Sequence, residues 1–201
     1  MNSLAAGFSG FTSVVVTNAG LGLGVALLAI EHVKWWRGGG GGVPAAPGGL
    51  HKGSAAPAGR GRDPVVLAQV WGGVAFGAIM VGCPAGLLGS MAGILRWGGN
   101  GLGGMVMAVL TGKHGTSVAT SSAPSLDSDG AVIVTALVLA LIVLRKSFSK
   151  LIRTRFRTGV WAGTLLTIGT GVFAYIGTVT VPGVNSLGAW MLGTLVHGSP
   201  V

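Results

Sequence analysis

Acidic side chains are nearly missing from this chain. Across 201 residues there are only Glu31, Asp63, Asp127 and Asp129, set against 13 Lys and Arg and a formal net charge of +9. Four scattered carboxylates supply little for paired acid–base chemistry. Asp127 and Asp129 stand two residues apart, but the later Glu of a calcium loop is absent; Asp129, just ahead of AVIVTAL, reads as a helix cap or flank. Cysteine occurs once, at Cys83 beside Pro84, which excludes an internal disulfide. His32, His51, His114 and His197 are scattered without ligand spacing. No Walker A sequence occurs, and the repeats GLGLG and GNGLGG lack both the Lys-Ser/Thr ending and the strand context of a nucleotide loop. Serine and threonine are common without a matching His/Asp arrangement. No enzyme activity, cofactor or metal is therefore expected.

Charge of either sign is also scarce. Only 8% of residues are charged, where soluble domains carry roughly 25%, while 50% are hydrophobic and the mean hydropathy is +0.73. So little charge would cover a water-facing surface poorly, and the expected solvent for most of the chain is lipid. The 39 glycines follow no period of three, which excludes collagen; in membrane helices small residues let backbones approach closely. Residues 1 to 30 contain no charge and no basic n-region, so a retained span is expected in preference to a cleaved signal peptide.

Four long apolar runs order the chain. Residues 1–37 form an N-terminal segment whose run from Thr12 to Ile30 reaches roughly 28 Å as a helix, about one hydrocarbon core. Trp35 and Trp36, beside Lys34 and Arg37, then suit a membrane interface. Residues 38–63 are a basic Gly/Pro-rich linker. Residues 64–84 are the second span, opened by Pro64 and closed by Pro84, with Gln69 as its one strongly polar side chain and Gly73 and Gly77 as a close-packing pair. Residues 85–112 hold two apolar pieces parted by RWGGNG; Arg96 at the centre of one long span would be costly, so a re-entrant or interfacial hairpin turning at Arg96 to Gly101 is expected, with Gln69, Arg96 and Asn100 as pore or hairpin residues. Residues 113–129 are an external polar loop, 130–144 a short third span, 145–158 a basic amphipathic segment and 159–181 the fourth span, with Gly159 and Gly163 as a second packing pair and Pro182 as its stop. Residues 182–201 form an interfacial tail. The expected fold is an all-α polytopic membrane protein with about four transmembrane helices.

Charge sidedness orients these pieces. With both termini outside, residues 31–63 and 145–158 are cytoplasmic and hold eleven of the thirteen basic residues, leaving Arg96 and Lys113 outside. That asymmetry is the pattern of a bacterial plasma or inner membrane protein. In the segment RKSFSKLIRTRFR, Lys146, Lys150, Arg153 and Arg157 recur at helical spacing and form one basic stripe, while Phe148, Leu151, Ile152 and Phe156 occupy another face. The stripe would meet anionic lipid, nucleic-acid phosphates without base specificity, or a cytoplasmic partner.

The glycine- and alanine-rich composition, the small hydrophobic spans and the basic segments GRGRD and RKSFSKLIRTRFR resemble the Spd plasmid-spread membrane proteins of mycelial actinobacteria. The resemblance implies a membrane factor that helps plasmid DNA cross septa, as a channel component working with a DNA translocase. The function expected is accordingly a homo-oligomeric membrane pore or channel component, accessory to DNA transfer. A non-catalytic scaffold for a secretion, conjugation or envelope assembly is the alternative, and a holin-like membrane-lesion protein a smaller one. The expected partners are the bilayer with its anionic lipids, further copies of the chain, and a cytoplasmic translocase or nonspecific nucleic acid.

Overall fold

The computed structural model describes residues 13–38, 64–83, 86–144, 146, 150–196 and 198. Among them the chain forms six helices and one two-stranded ribbon, in the order β1 (Val15–Thr17), α1 (Asn18–Gly38), α2 (Pro64–Gly82), α3 (Gly86–Thr111), β2 (Ser117–Thr120), α4 (Ser128–Leu144), α5 (Lys150–Leu166) and α6 (Ala174–Val196).

Local chemistry explains where these elements begin. The Thr17 hydroxyl accepts the Gly20 N–H at 3.0 Å and caps α1, giving one orphan donor of the first turn a partner. Pro64 opens α2, where its missing N–H costs nothing. Asp127 caps α4 by accepting the Gly130 N–H at 2.7 Å; Asp129, the cap or flank expected from the sequence, lies inside the first turn, where its charge complements the helix dipole. Between α5 and α6 the chain reverses through Gly171 at φ +72°, a conformation that glycine adopts without steric penalty.

The most extensive packing joins α2 to α5. Gly73 and Gly77 on α2 face Gly159 and Gly163 on α5. A Cβ placed on Gly73 would stand 3.0 Å from the Gly159 Cα and closer still to the Phe156 carbonyl oxygen, and one on Gly77 would meet the Val160 oxygen at 2.6 Å. The two backbones therefore touch directly. Beside this seam Val74, Ala162 and Leu166 are buried together, with Leu21, Leu27, Leu28, Phe173 and Ile176 packed around them. Helix α1 lies on α3 and α5, and α4 lies on α6. The ribbon pairs β1 antiparallel to β2, with Val16 opposite Ala119. Large apolar side chains also remain exposed on the outer flanks, among them Leu87, Val109 and Leu110 on α3, Val143 on α4 and Leu195 on α6. Contiguous apolar area on an outer face is where further contacts form.

This architecture corrects the polytopic membrane reading. Among the described residues only α2 is long and apolar enough to cross a bilayer, not four helices, and much of α2 is buried in the bundle. The reasons lie in the other three runs. Helix α1 carries Glu31, His32, Lys34 and Arg37 within its own length, so its apolar stretch is not a separate element. Helix α4 is apolar but has only 17 residues. The run from 159 to 181 is split: its first part continues α5 from Lys150, through Arg153, Arg155 and Arg157, and its second part belongs to α6. Pro182 does not stop α6 but sits inside it at an exposed position, where its missing N–H removes one intrahelical donor. The hairpin expected over 85–112 is one helix of 26 residues.

With four crossings gone, the inner-membrane placement loses its basis, as do the outside termini and the cytoplasmic assignment of 31–63 and 145–158. A compact helical bundle with one span-length helix does not provide a multi-span pore, channel, membrane scaffold or lesion. The bilayer with its anionic lipids, the homo-oligomer drawn from the glycine faces of the spans, and the translocase and nonspecific nucleic acid drawn from the resemblance and the basic stripe were all partners of a membrane-embedded chain, and the compact helical bundle corrects them. The linker at 38–63 lies outside the described residues from position 39 onward.

The glycine seam yields a measurable expectation. Replacing Gly159 by Ala forces α2 and α5 apart and lowers stability by about 1–3 kcal/mol, read by thermal or urea unfolding. Gly104, a helical position with open space beside it, serves as the control: Ala there stabilises by about 0.5–1 kcal/mol.

Candidate functional site

Two groups of polar side chains stand out, and they do different things. The first lies on α3, where Arg96 and Asn100 are one helical turn apart. Arg96 is buried; its Nε donates to the Ser13 carbonyl at 2.8 Å, and its Nη1 donates to the Ser121 hydroxyl, which in turn donates to the Val14 carbonyl at 2.9 Å. Asn100 Oδ1 accepts from the Thr17 N–H at 3.1 Å and from the Thr17 hydroxyl at 3.2 Å, while its Nδ2 donates to the Val15 carbonyl at 2.7 Å. Each side chain thus completes the backbone of the ribbon that crosses its face. Burial pushes the Arg96 guanidinium down to about 10 through desolvation, still well above neutrality, so the group is charged at pH 7. Neutral carbonyl and hydroxyl oxygens meet that charge; among the described residues the one carboxylate–cation pair is Glu31 with Lys34, at 3.0 Å. Arg96 and Asn100 therefore tie the ribbon to α3.

The second group borders a cleft of about 440 Å³ between α2, α4 and α5. Ala68 and Gly72, one turn apart on α2, leave room beside Phe156 of α5, and Leu141 of α4 and Ile152 of α5 complete the apolar wall. The Phe156 ring is fixed against Phe76, with centroids 5.8 Å apart. The polar residues bordering it are Gln69, half-buried on α2, and Arg153 and Arg157, exposed one turn apart on α5; they line the wall almost wholly through their aliphatic stems. Guanidinium groups present planar forks of N–H donors that match a carboxylate or phosphate. An apolar cavity of this size with a cationic rim can hold an amphiphile by its tail and its head together.

The sequence-derived residues divide as follows. Gln69, Arg153 and Arg157 come together at the cleft. Lys150 is exposed at the first position of α5, and Lys146 is exposed; positions 147–149 between them lie outside the described residues. Gly73, Gly77, Gly159 and Gly163 meet in the seam behind the cleft. Arg96 and Asn100 lie in the ribbon-pinning group, away from Gln69. Of the apolar wall, Ile152 and Phe156 were read as one face of the basic segment, while Leu141, Ala68 and Gly72 escaped the sequence reading: Ala68 and Gly72 are small residues four apart, but in a chain with 39 glycines that spacing carries little information. Among the described residues no three His, Cys, Asp or Glu converge as metal ligands. Burial pushes the Cys83 thiol up, and its Sγ–H donates to the Ile79 carbonyl at 3.3 Å, so little reactive thiolate is available there.

No protein-family model, curated protein or solved structure matches the chain. The cleft has to be read from its own chemistry.

The pinning group gives a direct test. Asn100→Ala leaves the Val15 carbonyl and both Thr17 donors without this partner, and is expected to cost about 1–3 kcal/mol in urea unfolding. Val109→Ala, at an exposed position on the same helix, should stay within about 0.5 kcal/mol of the parent protein.

Proposed function

We propose that the protein is a non-catalytic binding module whose cleft between α2, α4 and α5 takes a single-chain amphiphilic anion, such as a medium-chain carboxylate. One observation carries the reading: an apolar cleft of about 440 Å³ is bordered by two arginines, Arg153 and Arg157, one turn apart on α5. The apolar wall recruits the tail through burial, at about 0.8 kcal/mol per methylene removed from water. Arg153 and Arg157 receive the anionic head, and the Gln69 amide offers a further hydrogen bond beside them. Among the described residues lining the cleft, the polar ones are Gln69, Arg153 and Arg157, which suit recognition of an anion. The resemblance to the Spd proteins does not support this reading, because what it implies is a channel component; the cleft alone carries it.

Octanoate is a suitable probe. At about 0.3–0.6 kcal/mol for each of about ten non-hydrogen atoms, its expected Kd lies between about 50 μM and 5 mM. Titration followed through the Gln69 side-chain amide resonance should show binding in that range. The matched 1-octanol, lacking the charge, and butyrate, lacking half the tail, should each bind more weakly. Replacing Arg153 and Arg157 together by Gln should raise the octanoate Kd by roughly 3–10-fold at low salt and by less at high salt, since both side chains are exposed and screened. Equal affinity for octanoate and 1-octanol would remove the anion from the proposal.

A further inference from the structure

Arg157 borders a second cleft as well as the first. On the adjoining face of α5 a cavity of about 350 Å³ opens between α1, α3 and α5, with Leu23, Leu27 and Leu102 as its apolar wall, Trp161 along one side, and Thr158 beside Arg157. The Thr158 hydroxyl donates back to the Thr154 carbonyl at 3.1 Å, so towards the cleft it offers an acceptor and not a free donor. Among the described residues Arg157 is the one cation bordering this second cavity, whereas the first cavity has Arg153 in addition.

We propose that the cleft between α1, α3 and α5 is a second site for the same class of single-chain carboxylate, and that Arg157, shared by both, makes the two sites antagonistic. This inference rests on the first cleft binding such a ligand. A guanidinium directs its fork of donors to one anion at a time in bidentate geometry. A carboxylate in the first cleft engages Arg157 and deprives the second cleft of its cation. A carboxylate in the second cleft draws Arg157 away but leaves Arg153 to serve the first. The first cleft therefore fills at lower ligand concentration, and its occupancy weakens the second by roughly 3–10-fold, the effect of one charge-assisted contact made at an exposed site.

Two resonances separate the sites in one octanoate titration: the Gln69 side-chain amide reports the first cleft and the Trp161 indole N–H the second. In the parent protein the Gln69 signal should titrate first and the Trp161 signal at several-fold higher concentration. Ala68→Trp, at an exposed position bordering only the first cleft, fills that cleft and should move the Trp161 midpoint to roughly 3–10-fold lower octanoate. Gly72→Leu, where no atom lies within 4 Å of an added Cβ, provides the same block one turn along if the tryptophan variant does not fold. In an Arg157→Gln background the block should no longer shift the Trp161 midpoint. An unchanged midpoint in both blocked variants would overturn the coupling, and a silent Trp161 resonance in them would overturn the second site. A silent Gln69 amide with a responding Trp161 would instead remove the first site, and with it the proposed sharing.

Discussion

Direct contact between the backbones of α2 and α5 is the constraint around which the bundle is arranged. Four glycines in two pairs bring main-chain atoms of one helix against those of the other, and no side chain larger than hydrogen fits between them at those positions. Close approach strengthens dispersion between the two backbones and sets the residues flanking the seam at fixed distances. Val74 and Ala162 meet on one side of it, above Leu166. On the other side Phe156 tilts onto Phe76 and forms one wall of the larger cleft. Small residues at Ala68 and Gly72, on a different face of α2 from the seam glycines, leave the space that the cleft occupies.

The bundle treats its positive charge in two ways. On α5 Arg153 and Arg157 stand exposed at the edge of an apolar cavity, with their aliphatic stems free to lie along the wall and their heads in solvent. On α3 the opposite solution is used, because Arg96 is taken inside and surrounded by a carbonyl and a hydroxyl instead of a carboxylate. An acid at that point would have given a buried ion pair, whose desolvation is costly on both sides. Neutral oxygens from the ribbon spread the stabilisation over groups that needed hydrogen-bond donors in any case.

Much of the helical content could be read from the chain, and the errors share a physical origin. Pro64 and the following apolar run located α2 to within two residues at its far end, and the short run from Gly130 to Leu144 gave nearly all of α4. The failures came where a polar or small residue was taken as a break on local grounds alone. RWGGNG looked like a turn because an unpartnered Arg96 inside an apolar helix is expensive. Its partners, Ser13 and Ser121, are remote in sequence and could not be identified from the segment itself. The basic run before Gly159 looked like a separate surface piece because charge and hydrophobicity change abruptly there, yet α5 passes through the change without interruption. Of the cleft residues, Gln69, Arg153 and Arg157 were recognisable as polar exceptions on apolar or amphipathic helices. Their convergence depended on the α2–α5 crossing and on Leu141 from a third helix, and neither is encoded in local spacing.

The ribbon-pinning group has a consequence for how the protein is made. Its bonds span long stretches of chain, with separations of 83 residues for Arg96 to Ser13, 85 for Asn100 to Val15 and 107 for Ser121 to Val14. At roughly 5–20 residues per second, the first strand leaves the ribosome roughly 5–20 s before the last of these partners is synthesised. During that interval its N–H and C=O groups have neither β2 nor the side chains of α3 to meet them. Completing the N-terminal end of the domain is therefore a late, non-local event, and the stretch around Val14 to Thr17 is where a nascent chain would first need shielding from other unpaired strands.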